Sequence, residues 1–149
     1  MTFSLWLEKG WLKEHKPTSR ELVELLAVAD RSLKDCQVAG LSSDGKLDMA
    51  HNAALQSSAA ALAAAGYRAS REAYHYYLIQ SLSLTLQLDE SIIRRLDKLR
   101  RKRNISDYER TGFVTEQEAQ EMVELAIQIR QQVQAWIRES HPELSEPGY

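Results

Sequence analysis

Apolar residues recur at helical spacing along most of the chain. The clearest stretches run from Leu22 to Leu33, Leu78 to Leu86, Ile92 to Leu99 and Met122 to Trp136. Steps of three and four residues place these side chains on one face of an α-helix. The pattern predicts an all-α fold, a single-domain bundle of about five or six helices, mostly antiparallel because the predicted connections are short.

Capping residues indicate where several of these helices begin. Thr18 with Glu21, and Thr115 with Glu118, form the capping-box signature, in which a hydroxyl and a carboxylate satisfy amides of the first helical turn. Helices are therefore expected to begin at both sites. Residues 40–45 are predicted to form a loop between the second and third helices, because they are rich in Gly and Ser.

Other residues indicate where helices end. Pro17 is expected to close a short first helix over about residues 3–14, and Gly66 to end a helix that begins near Leu47. Residues 67–70 are predicted to be a connection, and Asn104 is expected to stop the fifth helix. The tail is polar from about residue 141. Without a linker or repeat, residues 1–149 are predicted to form one domain.

Composition narrows the class of protein further. The chain has six Gly, three Pro and one Cys among 149 residues, which favours helices and rules out an internal disulfide. No stretch approaches the roughly 20 apolar residues of a membrane span. We therefore expect a cytoplasmic protein with no membrane association, and nothing in the sequence calls for a cofactor.

The third predicted helix carries mostly small side chains, so another helix can approach it closely. Its small and polar positions are Asn52, Ala53, Gln56, Ser57, Ala60, Ala63 and Ala64. Two explanations stay open: close packing inside one bundle, or an interface between two subunits. In the next helix, Tyr74, His75, Tyr76 and Tyr77 cannot all face one core, because successive helical residues are about 100° apart. At least one tyrosine should be exposed.

Positive charge is concentrated in one segment. The fifth helix carries seven cations. Two of them are Arg100 and Arg103, and the other five form what we call the basic patch: Arg94, Arg95, Lys98, Arg101 and Lys102. Asp97 is the one acidic residue among them, although the whole chain has a net charge of -2. Such a cluster can attract phosphate groups or an acidic protein, or it can be a solvated helix face. Arg94, Lys98, Arg101 and Lys102 are expected to face water.

The helical steps from Leu96 and Leu99 place Arg103 in line with the buried face. A guanidinium there needs a carboxylate, a carbonyl or a ligand, because it stays charged. Asp107 is the nearby candidate, and a structural ion pair between the two residues is the alternative to a ligand site.

The stretch Arg103-Asn104-Ile105-Ser106-Asp107-Tyr108 resembles the site motif of HEPN-domain proteins. Members of this family are small helical bundles in which an Arg, commonly followed by Asn, precedes a His by a few residues. The resemblance extends from about Leu47 to Ile137. It implies a homodimer in which Arg and His residues of both subunits form a metal-independent RNA-cleaving site, whereas some branches bind nucleotides or partner proteins instead.

The catalytic histidine of the family pattern is missing here, because Tyr108 and Ser106 stand where it would be expected. The Asp-Tyr ending resembles a subgroup found beside minimal nucleotidyltransferases in toxin–antitoxin pairs. A tyrosine, with a pKa near 10, is a poor base at pH 7. The resemblance therefore implies a nucleotide-, RNA- or partner-binding module, with Arg100, Arg103, Asn104, Asp107 and Tyr108 as the ligand-binding residues.

Two alternative functions stay open. In a metal-independent endoribonuclease, Arg103 would stabilise the phosphate in the transition state, and Tyr108 or His75 would move the proton. In a purely structural interaction module, the basic patch would meet an acidic protein surface. No metal site is expected, because none of the four histidines pairs with another His or a Cys at ligand spacing.

Overall fold

The protein is a helical bundle with one small two-stranded sheet. The structure, a computed structural model, describes residues 2–108 and 114–145, except the side chains of 103–108. In chain order the elements are α1 (Phe3–Glu8), β1 (Leu12–Glu14), α2 (Ser19–Asp35), α3 (Ser43–Ala64), β2 (Tyr67–Ala69), α4 (Tyr74–Gln80), α5 (Leu82–Thr85), α6 (Glu90–Tyr108), α7 (Glu116–Ser140) and a 3-10 turn at Pro142–Leu144. The predicted all-α class is confirmed.

Helix α3 lies at the centre, with α2 and α7 packed along it. The small side chains of α3 explain this arrangement, because Ala53, Ser57 and Ala60 are fully buried and allow both neighbours to approach closely. At the edge of the contact with α2, the Asn52 side chain donates a hydrogen bond to Ser32 Oγ over 3.0 Å. Five of the seven small and polar positions of α3 are thus buried within one chain, and Asn52 and Gln56 are half-buried. This agrees with the first of the two explanations left open above.

The two capping-box signatures have different outcomes. At α7 both halves form: Thr115 Oγ1 accepts from the Glu118 amide, and the Glu118 carboxylate accepts from the Thr115 amide, each over 3.1 Å. At α2 only the Thr18 half forms, because the Glu21 carboxylate lies 2.7 Å from His15 Nε2 instead. Both helices begin where the sequence predicts.

The expected first helix over residues 3–14 is wrong. Helix α1 ends at Glu8, and Gly10 has a φ of +78°, a left-handed conformation that turns the chain out of the helix. The following residues form β1, which pairs antiparallel with β2. The expected connection at 67–70 is therefore largely a strand, and each of these strands gains its backbone hydrogen bonds from the other.

Three further boundaries differ from the prediction. The expected fourth helix is split into α4 and α5, and Leu86 lies beyond both. Helix α3 begins at Ser43, inside the expected loop, because the Ser42 hydroxyl caps the Gly45 amide. Helix α6 does not stop at Asn104 but continues to Tyr108. An interior Asn costs a helix only about 0.7 kcal/mol, too little to end it without a Gly or Pro.

Candidate ligand-binding surface on helices α4 and α6

Part of the basic patch is occupied by carboxylates of α7. Arg95 makes a two-bond ion pair with Glu121, and Lys102 pairs with Glu118. Both contacts join α6 to the first turns of α7, so these two cations hold helices together. The expectation that Lys102 faces water is wrong, because its side chain is half-buried against Glu118.

The pKa shifts of the two carboxylates follow from these contacts. The hydrogen bonds from Arg95 lower the pKa of Glu121, more than its partial burial raises it. Burial acts to raise the pKa of Glu118, but the hydrogen bonds from Lys102 and Thr115 outweigh burial and lower it. The pKa of Arg95 is raised by its hydrogen bond to Glu121. Both carboxylates are thus held in their charged form.

Asp97 organises a second group of cations on α6. Its carboxylate accepts a hydrogen bond from Arg100 Nε over 2.9 Å, and Arg101 Nε lies 3.8 Å from its other oxygen. The Arg100 guanidinium also lies over the ring of Tyr76 on α4, 5.8 Å from the ring centroid. Arg100 is therefore fixed from two sides, with 17% of its side chain still exposed.

The remaining cations of the basic patch face solvent. Arg94, Lys98 and Arg101 are exposed, as the sequence predicts, and Arg94 approaches Glu90 only to 3.9 Å. Their charges are therefore available to a ligand, whereas those of Arg95 and Lys102 are largely compensated.

Helix α4 presents aromatic rings beside these cations. Tyr74 and Tyr76 are each 39% exposed, which confirms the prediction that the tyrosine run cannot be wholly buried. Tyr77 instead packs inward, stacked on Trp11 at 5.3 Å and edge-on to Trp6 at 5.8 Å. This aromatic cluster anchors α4 and so fixes the position of Tyr76 next to Arg100.

His75 lies on the exposed side of α4, between the two tyrosines. Its ring centroid is 6.1 Å from that of Tyr74 and 6.3 Å from that of His51 on α3, which is completely buried. No sequence pattern connects His51 with His75, because the two residues meet only through the packing of α4 on α3.

The residues of the HEPN-like motif follow Arg100 along α6. Arg103, Asn104, Asp107 and Tyr108 belong to the helix, and their backbone positions follow that of Arg100 within eight residues. Positions 100, 104 and 107 are spaced to share one side of a helix. The side chains of all four lie outside the described residues, and so does the anticipated Arg103–Asp107 ion pair.

A more enclosed hollow lies away from this surface, between α2 and the second half of α7. Its volume is about 180 Å³, and its floor is apolar, with Leu22, Leu26 and Ile137. Arg130 closes one side through two hydrogen bonds to Asp30 of 2.9 and 3.0 Å. Among the residues whose side chains are described, none of the basic patch borders it.

The described part of the chain carries neither a candidate metal-binding cluster nor a helix that could cross a membrane. No cluster of three or more His, Cys, Asp or Glu side chains could hold a metal ion there. None of the helices described is both long enough and apolar enough to cross a membrane. Comparisons with protein-family models, with curated proteins and with solved structures gave no match to this chain.

Proposed function

We propose that this chain is a HEPN-like binding module, and that the surface of α4 and α6 binds single-stranded RNA or a single nucleotide. The observation that carries the proposal is the position of Arg100 over the Tyr76 ring, fixed by Asp97, with exposed Arg101 beside it. Planar aromatic and guanidinium groups stack on bases, and neighbouring cations bind phosphates.

The position of the HEPN-like motif agrees with the same proposal. Arg103, Asn104, Asp107 and Tyr108 are the proposed continuation of the ligand site, because they follow Arg100 on the same helix. A homodimer would place a second copy of this surface in the assembly. A nucleotidyltransferase partner in a toxin–antitoxin pair belongs to the proposal as well, and it rests on the resemblance of the Asp-Tyr ending alone.

The pairing of Arg95 and Lys102 with α7 limits the proposal. Their charges serve the contact between helices, so the ligand would depend on Arg100, Arg101, Lys98 and Arg94 instead. A base stacked on this surface is expected to contribute about 1–3 kcal/mol, which is typical of an aromatic platform.

The test is the affinity for a fluorescently labelled single-stranded 12-mer RNA, measured by anisotropy with a chelator present. Tyr76→Ala should weaken binding by about 5- to 150-fold, the equivalent of one lost stacking contact. Tyr76→Phe is the matched control, because it keeps the ring, and it should bind like the wild type. Equal affinities for Tyr76→Ala and the wild type would contradict the proposed surface.

The same samples separate the two other functions. If the RNA is cleaved and Arg103→Ala abolishes the cleavage, the protein is a metal-independent endoribonuclease. If the wild type neither binds nor cleaves RNA at physiological salt, the structural interaction module is favoured. Light scattering on each sample gives the mass and tests the homodimer.

A further inference from the structure

The two-stranded sheet brings two positive charges together without a carboxylate between them. Lys13 on β1 and Arg68 on β2 are directly opposite each other in the antiparallel register, and both are exposed. Like charges in a directly opposed cross-strand pair destabilise a sheet. Neither residue forms an ion pair with any side chain that the structure describes.

A groove beside this pair adds a third cation and an aromatic ring. Lys13, Arg68, Arg71 and Tyr74 line an open hollow of about 610 Å³. Glu14 is the one carboxylate residue on its lining. His15 also lines the hollow, and its ring is hydrogen-bonded to Glu21. We call this hollow the hairpin groove. Its lining is therefore positive overall, although the whole chain has a net charge of -2.

Neighbouring contacts hold the hairpin groove in shape. The Ser70 amide donates to the Trp11 carbonyl over 2.9 Å, and the Ser70 hydroxyl donates to the Gly10 carbonyl. These bonds join the segment that follows β2 to the turn that precedes β1. The backbone that carries Arg71 is thus fixed relative to Lys13, so a ligand would not need to order it on binding.

We propose that the hairpin groove binds phosphate groups, and that these are phosphates of the single-stranded RNA whose base stacks at Tyr76. This inference rests on the proposed function for its RNA part. An anion between Lys13 and Arg68 removes the repulsion that the free sheet contains. Tyr74 lines the groove, and its ring centroid lies 6.1 Å from that of His75. The proposed strand would follow α4 from the hairpin groove to Arg100.

The first experiment uses inorganic pyrophosphate as the probe and needs no RNA. Amide chemical shifts of the whole protein are recorded during a titration, with sodium chloride of equal ionic strength as the reference. The residues of β1 and β2 should shift with saturation. The triple variant Lys13→Gln, Arg68→Gln, Arg71→Gln should lose the effect, and Arg31→Gln, Lys34→Gln, Arg138→Gln, which removes equal charge from exposed positions elsewhere, should keep it.

A variant that should bind more tightly is a second test, because damage to the fold cannot explain tighter binding. Glu14→Gln removes the one carboxylate from the lining, so it should tighten pyrophosphate binding several-fold. Absence of saturable shifts on β1 and β2, or equal shifts in the triple variant, would overturn the phosphate site. Weaker binding by Glu14→Gln would do the same, since the site depends on positive charge.

The second experiment identifies the source of the phosphate. The affinity for the 12-mer RNA is measured against salt concentration, because each phosphate contact on a single strand adds about 0.7 to the slope of log affinity on log salt. The triple variant should lose about two units of slope, while the matched control should not. An unchanged slope, with pyrophosphate still bound, would overturn the RNA path and leave free phosphate compounds as the ligand.

The two proposals fail in different ways. If pyrophosphate binds to the hairpin groove but the wild type binds no RNA, the proposed function is wrong and the phosphate site stands. If RNA binding depends on Tyr76 but not on Lys13, Arg68 and Arg71, the proposed function stands and the hairpin groove is wrong.

Discussion

At the scale of single residues, four carboxylates determine which cations of α6 remain available. Glu118 forms an ion pair with Lys102, and Glu121 forms one with Arg95. Asp97 contacts both Arg100 and Arg101. Glu90 approaches Arg94 only to 3.9 Å. A count of charges along the sequence treats all these cations as equivalent. The structure separates those that join helices from those that a ligand could reach.

The first prediction concerns Glu121, whose pKa is lowered by hydrogen bonds from Arg95. A carboxyl with a lowered pKa in the folded state stabilises it above the ordinary pKa of about 4.3, and this stabilisation is lost as pH falls through the lowered value. Because about a third of each side chain is exposed, we expect Glu121→Gln to lose about 0.5–1 kcal/mol at pH 7.

Urea unfolding at pH 7 and about pH 3 measures this loss, which should shrink at the lower pH as Glu121 becomes protonated in the wild type. The control is Glu24→Gln, since Glu24 pairs with Arg20 on a fully hydrated surface. That variant should differ little from the wild type. A loss in Glu121→Gln that stays constant with pH would show that the ion pair is not its cause.

At the scale of the elements, similar sequence signatures at two helix starts lead to different contacts. Thr115 exchanges hydrogen bonds with Glu118, whereas Thr18 caps α2 alone because Glu21 is bound to His15. Glu118 also pairs with Lys102, so the start of α7 is connected to α6. The local signature predicts the helix start, and the tertiary contacts decide its partners.

The second prediction compares these two caps. Thr18→Ala removes one capping hydrogen bond, and loss of an N-cap costs about 1 kcal/mol. Thr115→Ala removes the same bond and also the contact that positions the Glu118 carboxylate. Urea unfolding should therefore show a larger loss for Thr115→Ala than for Thr18→Ala. Equal losses would indicate that the hydrogen bond from the Thr115 hydroxyl to the Glu118 carboxylate contributes nothing.

The success of sequence-based prediction differs among the elements for physical reasons. Long amphipathic helices such as α2 and α7 have enough apolar positions to be recognised. The strands of three residues each carry no periodic signal, and they exist only because two distant segments pair. The break between α4 and α5 depends on packing as well, since neither Gly nor Pro marks it.

The candidate site is predictable only in part for a similar reason. The basic patch and the exposed tyrosines could be identified from the sequence, and the Asp97–Arg100 spacing of three residues could have suggested their ion pair. The stacking of Arg100 on Tyr76 could not, because it joins two helices. The hairpin groove could not be predicted either, because Lys13 and Arg68 are far apart in the sequence and meet only through the pairing of β1 with β2.

At the scale of the whole molecule, the architecture follows from a central helix whose side chains are mostly small. Ala60 is completely buried between the neighbours of α3. This arrangement uses the close-packing surface of α3 within one chain. We therefore expect that a homodimer would use another face, and a substitution on α3 tests this expectation.

The third prediction is that Ala60→Leu destabilises each chain without changing the assembly. Extra methylene groups in a close-packed core cost about 1–3 kcal/mol, and Ala135→Leu on the exposed side of α7 is a control that should cost less than about 0.5 kcal/mol. Unfolding is measured over a wide range of protein concentration, together with the mass by light scattering. Because Ala60 packs inside one chain, the loss should be the same at every concentration. A loss that grows on dilution, with a fall from dimer to monomer mass, would instead place α3 at a subunit interface.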